Sequence, residues 1–256
     1  MEPTRLSVVI PAWNEERRIV PSLERALPVL ARLVPRHEIV VVDDGSADRT
    51  LDVAREVCAR FDAPFAGFSL EHNRGKGGAV KAGMLAARGE FVLFCDADQS
   101  TPMTALEGFL PGMAHNAPVL IGTRKSREAR IERHQPWLRE SMGKAFTGLA
   151  RALIGVQVTD FTCGFKIFRR DAAREIFGRQ TVNDWSFDAE ILFLARALDY
   201  PIQEVPVTWT NDTDTKVRLL RDSINSFAGL LRIRRQQRAG LYHLPSESGK
   251  SGDASQ

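Results

Sequence analysis

The chain has 256 residues, of which 43% are hydrophobic and 26% charged, so it can bury a large core and has an ordinary globular composition. The net charge of +3 is too small to imply nucleic-acid binding. No apolar run approaches the roughly 20 residues that cross a bilayer, and the N-terminus leads into a strand rather than a signal segment. Three widely spaced cysteines form no zinc motif or disulfide framework, which favours a reducing, cytoplasmic setting.

Strands and helices alternate through the first half of the sequence. Runs rich in Val, Ile and Leu predict strands at 6–10, 38–42, 65–70, 91–95 and 118–122, and the stretches between them predict helices at 15–34, 48–61, 75–88 and 103–115. Continuously apolar strands are typical of a sheet covered on both faces. The alternation, with short connections, predicts one α/β domain with a Rossmann-like, mostly parallel central sheet and helices on both faces.

The second half is less regular. Residues 124–140 are polar and charged, and predict a mobile loop with some helix. Further helices are predicted at 136–154, 187–198 and 216–238, the last from apolar residues spaced by three and four, and strand-like pieces at 165–168 and 202–209. We expect the domain to occupy residues 1–240 and the Ser- and Gly-rich tail, 241–256, to be disordered.

Two acidic residues follow the strand at 91–95. Residues 91–102 read FVLFCDADQSTP, and in an extended chain Asp96 and Asp98 project to the same side. Two carboxylates so close repel each other unless a proton or a cation intervenes, which makes Mg²⁺ or Mn²⁺ the expected partner. Capping of the next helix by Ser100 or Thr101 is the structural alternative, but it leaves Asp96 unexplained.

The ends of the other parallel strands should meet at the same edge of the sheet. Asp44, in DDGS, is a candidate acceptor for polar hydrogens of a nucleoside, with a turn and a helix cap as the alternative. PAWNEE, after the first strand, lacks the glycines of a dinucleotide fingerprint, which argues against NAD. As a helix cap alone, it leaves Trp13 unexplained. In NRGKGGAVKAG, Lys76 and two glycines begin a helix where backbone N–H groups could bind an anion; close packing is an equal alternative.

Seven motifs, taken together and in order, resemble those of family 2 glycosyltransferases with a GT-A fold. They are VVIPAWNEE, VVVDDGSADRT, NRGKGGAVKAG, FCDADQSTP, GTR, DFTCGFKIFRR and WSFDAEIL. The likeness is to dolichyl- and polyprenyl-phosphate sugar synthases. Within that group, NRGKGGAVKAG and SFDAEIL resemble the dolichyl-phosphate β-glucosyltransferase branch more than the mannosyl branch.

The resemblance implies which residues bind the sugar nucleotide. They are Pro11, Trp13, Glu15, Val42, Asp44, Asp96, Ala97, Arg124 and Lys216. The DxD segment, Asp96 to Asp98, would place the diphosphate and its Mg²⁺ or Mn²⁺. Ser100 stands where some relatives have a glutamine that also contacts the metal, and Gln99 is displaced by one position.

The resemblance also implies an inverting transfer, in which an acceptor oxygen attacks the anomeric carbon and the nucleoside diphosphate leaves. The metal on Asp98, together with Arg124 or Lys216, would stabilise the leaving charge. Asp188, in SFDAE, is expected on the acceptor side as a base or an orienting group; the alternative is an acid favourable to the helix dipole.

A lipid phosphate is already anionic and needs no base. Residues 124–151 contain eight basic and three acidic residues, which suits a polyprenyl phosphate, or is simply a solvated surface. Residues 216–238 contain seven basic residues and one acidic residue, and this helix either lies on anionic lipid or packs on the sheet.

The implied function is therefore metal-dependent transfer of glucose from UDP-glucose to a polyprenyl or dolichyl phosphate. GDP-mannose as donor, and a soluble hydroxyl as acceptor, are the alternatives within the family. A nucleotidyltransferase is disfavoured because the glycine-rich signature is missing, and a sugar-nucleotide-binding module without activity is the remaining class. The expected location is the cytoplasm, peripheral to the inner face of the membrane.

Overall fold

This computed structural model describes residues 3–133, 137–210 and 219–244, which contain nine strands and eight α-helices. The strands are β1 (Leu6–Ala12), β2 (His37–Asp43), β3 (Phe68–Ser69), β4 (Phe91–Cys95), β5 (Val119–Thr123), β6 (Arg130–Arg133), β7 (Phe165–Arg169), β8 (Ile202–Pro206) and β9 (Thr208–Thr210). The helices are α1 (Glu16–Leu33), α2 (Thr50–Arg60), α3 (Lys76–Ala86), α4 (Leu106–Ala114), α5 (Trp137–Ile154), α6 (Arg170–Arg179), α7 (Phe187–Ala197) and α8 (Leu219–Arg238).

Seven strands form the central sheet, in the order β3-β2-β1-β4-β7-β5-β8. All of them are parallel except β7, which is antiparallel to both β4 and β5. The prediction of a mostly parallel α/β sheet is therefore confirmed. The carboxyl ends of β1, β2, β4, β5 and β8 share one edge, and β7 begins there because its first residue, Phe165, pairs with Cys95.

Helices cover both faces of this sheet. Successive strand residues project to opposite sides, and apolar residues on both sides need to be buried. Val8 and Ile10 of β1 belong to the hydrophobic cluster that α1, α2 and α4 complete. Val9, between them, belongs to the other cluster, which includes residues of α3, α5, α6, α7 and α8. Continuously apolar strands thus have the two-sided burial that their sequence predicts.

Three predictions about elements were wrong or incomplete, and one helix was missed. The prediction of a loop with some helix at 124–140 was incomplete: α5 begins in this range, at Trp137, but the range also contains β6, which pairs with β9 in a separate two-stranded parallel sheet. The strand-like piece at 202–209 divides into β8 and β9, which belong to different sheets. The predicted strand at 65–70 is reduced to β3 and an isolated bridge between Phe65 and Ile39, and α6 was not predicted.

The packed chain continues past residue 240, where the predicted domain ends. Tyr242 is buried, and its hydroxyl donates a hydrogen bond to the Glu190 carboxylate of α7 at 2.8 Å. The tail at 245–256 and the predicted contact Lys216 lie outside the described residues. Within the part of the chain that the structure describes, no helix has the length and apolar character of a membrane span.

Candidate active site

The acid pair at the end of β4 lies where the sheet topology places it. Asp96 and Asp98 are both half-buried, and Ala97 between them is buried. The Asp96 Oδ1 atom is 2.6 Å from the Lys76 ammonium, and the Asp98 Oδ1 atom accepts the Ser100 N–H at 2.9 Å. Burial and the neighbouring Asp96 charge raise the pKa of Asp98. The two carboxylates therefore repel each other, and the Lys76 ammonium, which pairs directly with Asp96, also opposes the rise in the pKa of Asp98.

Lys76 reaches the acid pair from the start of α3. The Asp44 carboxylate accepts the backbone N–H groups of Arg74 and Gly75, at 2.7 and 2.9 Å, and so fixes the turn that precedes the helix. Gly75 has φ +86°, a conformation that glycine adopts without strain. Although burial opposes the ammonium charge, Asp96 and Asp188 raise the pKa of Lys76.

The backbone N–H groups at the start of α3 are used by the protein itself. Gly77 and Gly78 both donate to the Asn183 carbonyl oxygen, at 2.8 and 3.4 Å. A Cβ atom at Gly77 would lie 2.7 Å from the Phe187 Cβ. These glycines thus support the alternative of close packing, and in this structure the charge that α3 brings to the site is the Lys76 side chain.

Asp188 lies in the first turn of α7 and is only 3% exposed. Its Oδ1 atom is 2.5 Å from the ammonium of Lys166, a β7 residue that is fully buried and also donates to the Cys163 carbonyl oxygen at 2.7 Å. Burial raises the pKa of Asp188, although Lys166 and Lys76 act in the opposite direction. Lys166 was not predicted; its signal is a lysine inside the otherwise apolar run GFKIF.

Arg124, which directly follows β5, is held by Asp160, a residue that was not predicted to lie in the site. Its Nε and Nη2 atoms bind the two oxygens of the fully buried Asp160, at 2.7 and 2.9 Å, and Nη2 also donates to the Thr162 hydroxyl. The guanidinium lies 5.3 Å from the centre of the Trp209 ring. Although burial disfavours the Asp160 charge, Arg124 holds the pKa of Asp160 well below its usual range. Arg124 is therefore rigidly placed at the edge of the site.

The residues predicted for the nucleotide lie around the ends of β1 and β2. Trp13 is exposed, Pro11 is half-buried and Val42 is buried. Glu15 is buried and accepts two hydrogen bonds from Arg18, both at 2.6 Å. These roles in nucleotide binding stay predictions.

The Gln99 side chain, which follows the acid pair directly in the sequence, is hydrogen-bonded to helix α1. It has φ +49°, and its Nε2 atom donates to the Ser22 carbonyl oxygen of α1 at 2.7 Å. The Ser100 carbonyl oxygen accepts the Thr210 N–H, which joins this turn to β9. The turn that contains Asp98 is thus anchored on both sides.

The acid pair fits a divalent cation. Among the described residues, no three His, Cys, Asp or Glu side chains are grouped so that they could hold a metal ion. Asp96 and Asp98 would therefore share a bound ion with substrate phosphates and water, the arrangement that Mg²⁺ commonly adopts. Their half-burial and mutual repulsion favour such an ion.

Comparison with known proteins agrees with this geometry. A model of the family described as "Glycosyl transferase family 2" matches residues 7–177. The chain is 33% identical to the dolichyl-phosphate beta-glucosyltransferase of Homo sapiens, over 94% of this chain and 79% of that protein. It is 35% identical to the protein of the same name from Saccharomyces cerevisiae, over 93% of this chain and 76% of that protein.

A solved structure shares the fold at lower identity. Glucosyl-3-phosphoglycerate synthase from Mycobacterium tuberculosis, crystallised with Mn²⁺, UDP-glucose and phosphoglyceric acid, superposes with a TM-score of 0.63 and 17% identity. The match covers 95% of this chain and 82% of that chain. The fold is therefore of the GT-A type, and the chain belongs to glycosyl transferase family 2.

Proposed function

We propose that this glycosyltransferase moves glucose from UDP-glucose to a polyprenyl phosphate such as dolichyl phosphate, with inversion at the anomeric carbon. The observation that carries the proposal is the 33–35% identity, along more than nine tenths of the chain, to proteins named for that reaction. Geometry adds the acid pair beside Lys76 at the carboxyl edge of the sheet, a suitable place for a diphosphate.

The donor side uses Asp96, Asp98 and Lys76. Asp96 and Asp98 would hold Mg²⁺ or Mn²⁺, which supplies positive charge to the leaving diphosphate when it is bound. The Lys76 ammonium, now paired with Asp96, is close enough to contact a phosphate beside that carboxylate. The M. tuberculosis enzyme of the same fold was crystallised with Mn²⁺ and UDP-glucose, which supports this choice of donor and ion.

The acceptor side favours a phosphate over a hydroxyl. A sugar hydroxyl needs a base that can reach its proton. Asp188 is almost fully buried and is already paired with Lys166, so we assign it an orienting role rather than that of a base. A phosphate monoester arrives as an anion, and its oxygen can attack without prior loss of a proton.

A cation suited to the acceptor phosphate lies next to Arg124. The Lys125 ammonium donates to the Thr147 hydroxyl of α5 at 2.7 Å. Burial lowers the pKa of Lys125, and the positive charges of Arg124 and Arg151 lower it further, although Asp160 opposes them. An anion bound here would relieve this repulsion, which supports a lipid phosphate as the ligand.

We further propose that the protein acts as a peripheral protein at the inner face of the membrane, where a lipid acceptor would lie. The adjoining helices α5 and α8 expose Leu149 and Leu231, and α8 also exposes Arg235 and Arg238. Apolar side chains beside arginines are the combination that binds anionic lipid surfaces.

Purified protein with UDP-glucose, Mn²⁺ and either a polyprenyl phosphate or a soluble sugar would test the function. We expect glucose to appear in the lipid extract with release of UDP, and EDTA to abolish the transfer. GDP-mannose in place of UDP-glucose is the donor control. Transfer only to the soluble sugar would contradict the lipid acceptor, and release of pyrophosphate would contradict glycosyl transfer.

A further inference from the structure

Trp185, the first residue of the WSFDAEIL motif and one without a predicted role, is exposed and lies against Lys76, the partner of Asp96. Trp185 is 40% exposed, and its ring centre is 5.0 Å from the Lys76 ammonium. The same ammonium contacts Asp96 at 2.6 Å. Exposed tryptophans held at a binding site are frequent points of ligand contact because they bury a large area at little entropic cost.

The residues on either side of Trp185, Asp184 and Ser186, are held from the side of α8. Asp184 accepts the Ser186 N–H at 2.8 Å and pairs with Arg232 of α8 at 2.9 Å. Ser186 is fully buried, and a Cβ atom at Gly229 of α8 would overlap its hydroxyl. Helix α8 therefore packs directly against the residue next to Trp185.

The backbone that precedes Trp185 is fixed to α3. The Asn183 carbonyl oxygen accepts the N–H groups of Gly77 and Gly78, the residues that follow Lys76. Trp185 and Lys76 consequently belong to one connected unit, with the indole presented to solvent in a defined position. A ligand that contacts this ring needs little reorganisation of the protein.

We propose that Trp185 binds the glucosyl unit of the donor, with its ring packed on the C–H face of the pyranose. This inference rests on the proposed function. One face of a glucose ring presents mainly C–H groups, and an aromatic face packs well against such a surface. The hexose of a sugar nucleotide is bonded to the diphosphate, so a diphosphate at Asp96 and Lys76 brings the hexose close to Trp185.

The test compares UDP with UDP-glucose, which differ only by the hexose. Affinities for both would be measured by calorimetry with Mn²⁺ for the wild type, Trp185→Ala, Trp185→Phe and Trp13→Ala. We expect Trp185→Ala to weaken UDP-glucose binding about tenfold, the effect of a lost aromatic contact, and to leave UDP binding unchanged. Trp185→Phe should retain part of the affinity, and Trp13→Ala, the matched exposed tryptophan, should weaken both ligands equally.

Unchanged UDP binding also shows that Trp185→Ala is folded. Equal weakening of UDP and UDP-glucose, or no weakening of either, would overturn the inference. So would a raised KM for polyprenyl phosphate with unchanged donor affinity, which would assign Trp185 to the acceptor. A wild type that does not bind UDP-glucose would overturn the proposed function and this inference with it. A wild type that transfers glucose while Trp185→Ala keeps its full UDP-glucose affinity would overturn the inference alone.

Discussion

The Lys166 ammonium lies 2.5 Å from the Asp188 carboxylate, and both side chains are buried where β7 meets the start of α7. The Phe94 ring, 5.2 Å from the same ammonium, forms part of the wall around the pair. Removing two charges from water costs as much as their attraction returns, so such pairs contribute little net stability. This pair instead holds a carboxylate in place close to Lys76, in agreement with an orienting role.

Replacing one partner of the Lys166–Asp188 pair should destabilise the protein much more than replacing both. Lys166→Met leaves Asp188 buried without its partner, and we expect the free energy of unfolding to fall by about 3–5 kcal/mol. The double variant Lys166→Met/Asp188→Leu replaces both charges with apolar groups and should recover most of that loss. Urea unfolding of the three proteins at pH 7 measures the difference. A double variant as unstable as Lys166→Met would show that the uncompensated carboxylate is not the cause.

Gly164 should be required for the position of Asp96. A Cβ atom at Gly164 would overlap the Asp96 carboxylate, and the Gly164 carbonyl oxygen accepts the Asp96 N–H at 3.3 Å. In Gly164→Ala the end of the Asp96 side chain must turn away, which costs the fold little but disturbs the acid pair. We expect Mn²⁺-dependent binding of UDP-glucose to weaken by about tenfold or more, as is usual when the support of a metal ligand is lost.

Gly178→Ala is the matched control for Gly164→Ala. Gly178 lies in α6, and a Cβ atom there would meet no other atom within 4 Å. This variant should bind UDP-glucose normally and unfold at the same temperature as the wild type or slightly higher, because alanine favours a helix. Equal Mn²⁺-dependent binding of UDP-glucose by the two glycine variants would contradict the role of Gly164 in positioning Asp96.

The positions of Asp96, Asp98 and Arg124 could be predicted because they depend on local rules. A continuously apolar strand predicts a buried position in the sheet, and residues that follow parallel strands meet at one edge. Asp96 and Asp98 were placed by their position directly after β4, but the two-residue period of a strand does not extend to them, because Ala97 and Asp98 lie in a turn in which the Gln99 N–H donates to the Asp96 carbonyl oxygen. The structure confirms this edge and adds that Lys76 lies there with them.

The partners of Arg124 and Asp188 could not be predicted because they come from distant parts of the chain. Asp160 lies 36 residues after Arg124, and Lys166 reaches Asp188 because β7 enters the sheet antiparallel between β4 and β5. No short-range pattern specifies that insertion. The pairing of β6 with β9 was missed for the same reason, since a parallel pair has no hairpin turn from which it could be predicted.

The Arg124–Asp160 ion pair should make the free energy of unfolding depend on pH in the acidic range. The pKa of Asp160 is depressed in the folded protein, so its contribution is complete above the unfolded pKa, near 4, and is lost as the pH falls through the folded pKa. Asp160→Asn removes the charge and should cost about 3–5 kcal/mol at pH 7, because Arg124 loses its buried partner. The difference between the unfolding free energies of wild type and variant should begin to narrow as the pH falls below about 4, and should go on narrowing towards the folded pKa. A difference that stays constant over this range would contradict the role of the Asp160 charge.

Removing one charge of the acid pair should abolish activity without harming the fold. Asp98→Asn keeps the oxygen that accepts the Ser100 N–H and removes the carboxylate that burial and Asp96 disfavour. The variant should therefore unfold at the wild-type temperature or above it, while Mn²⁺ no longer stimulates transfer. The matched control is Asp52→Asn on the surface of α2, where the carboxylate pairs with exposed Arg55 and activity should be unchanged. Full turnover by Asp98→Asn in the presence of EDTA would exclude a metal held by this carboxylate, since the reaction would then proceed without either.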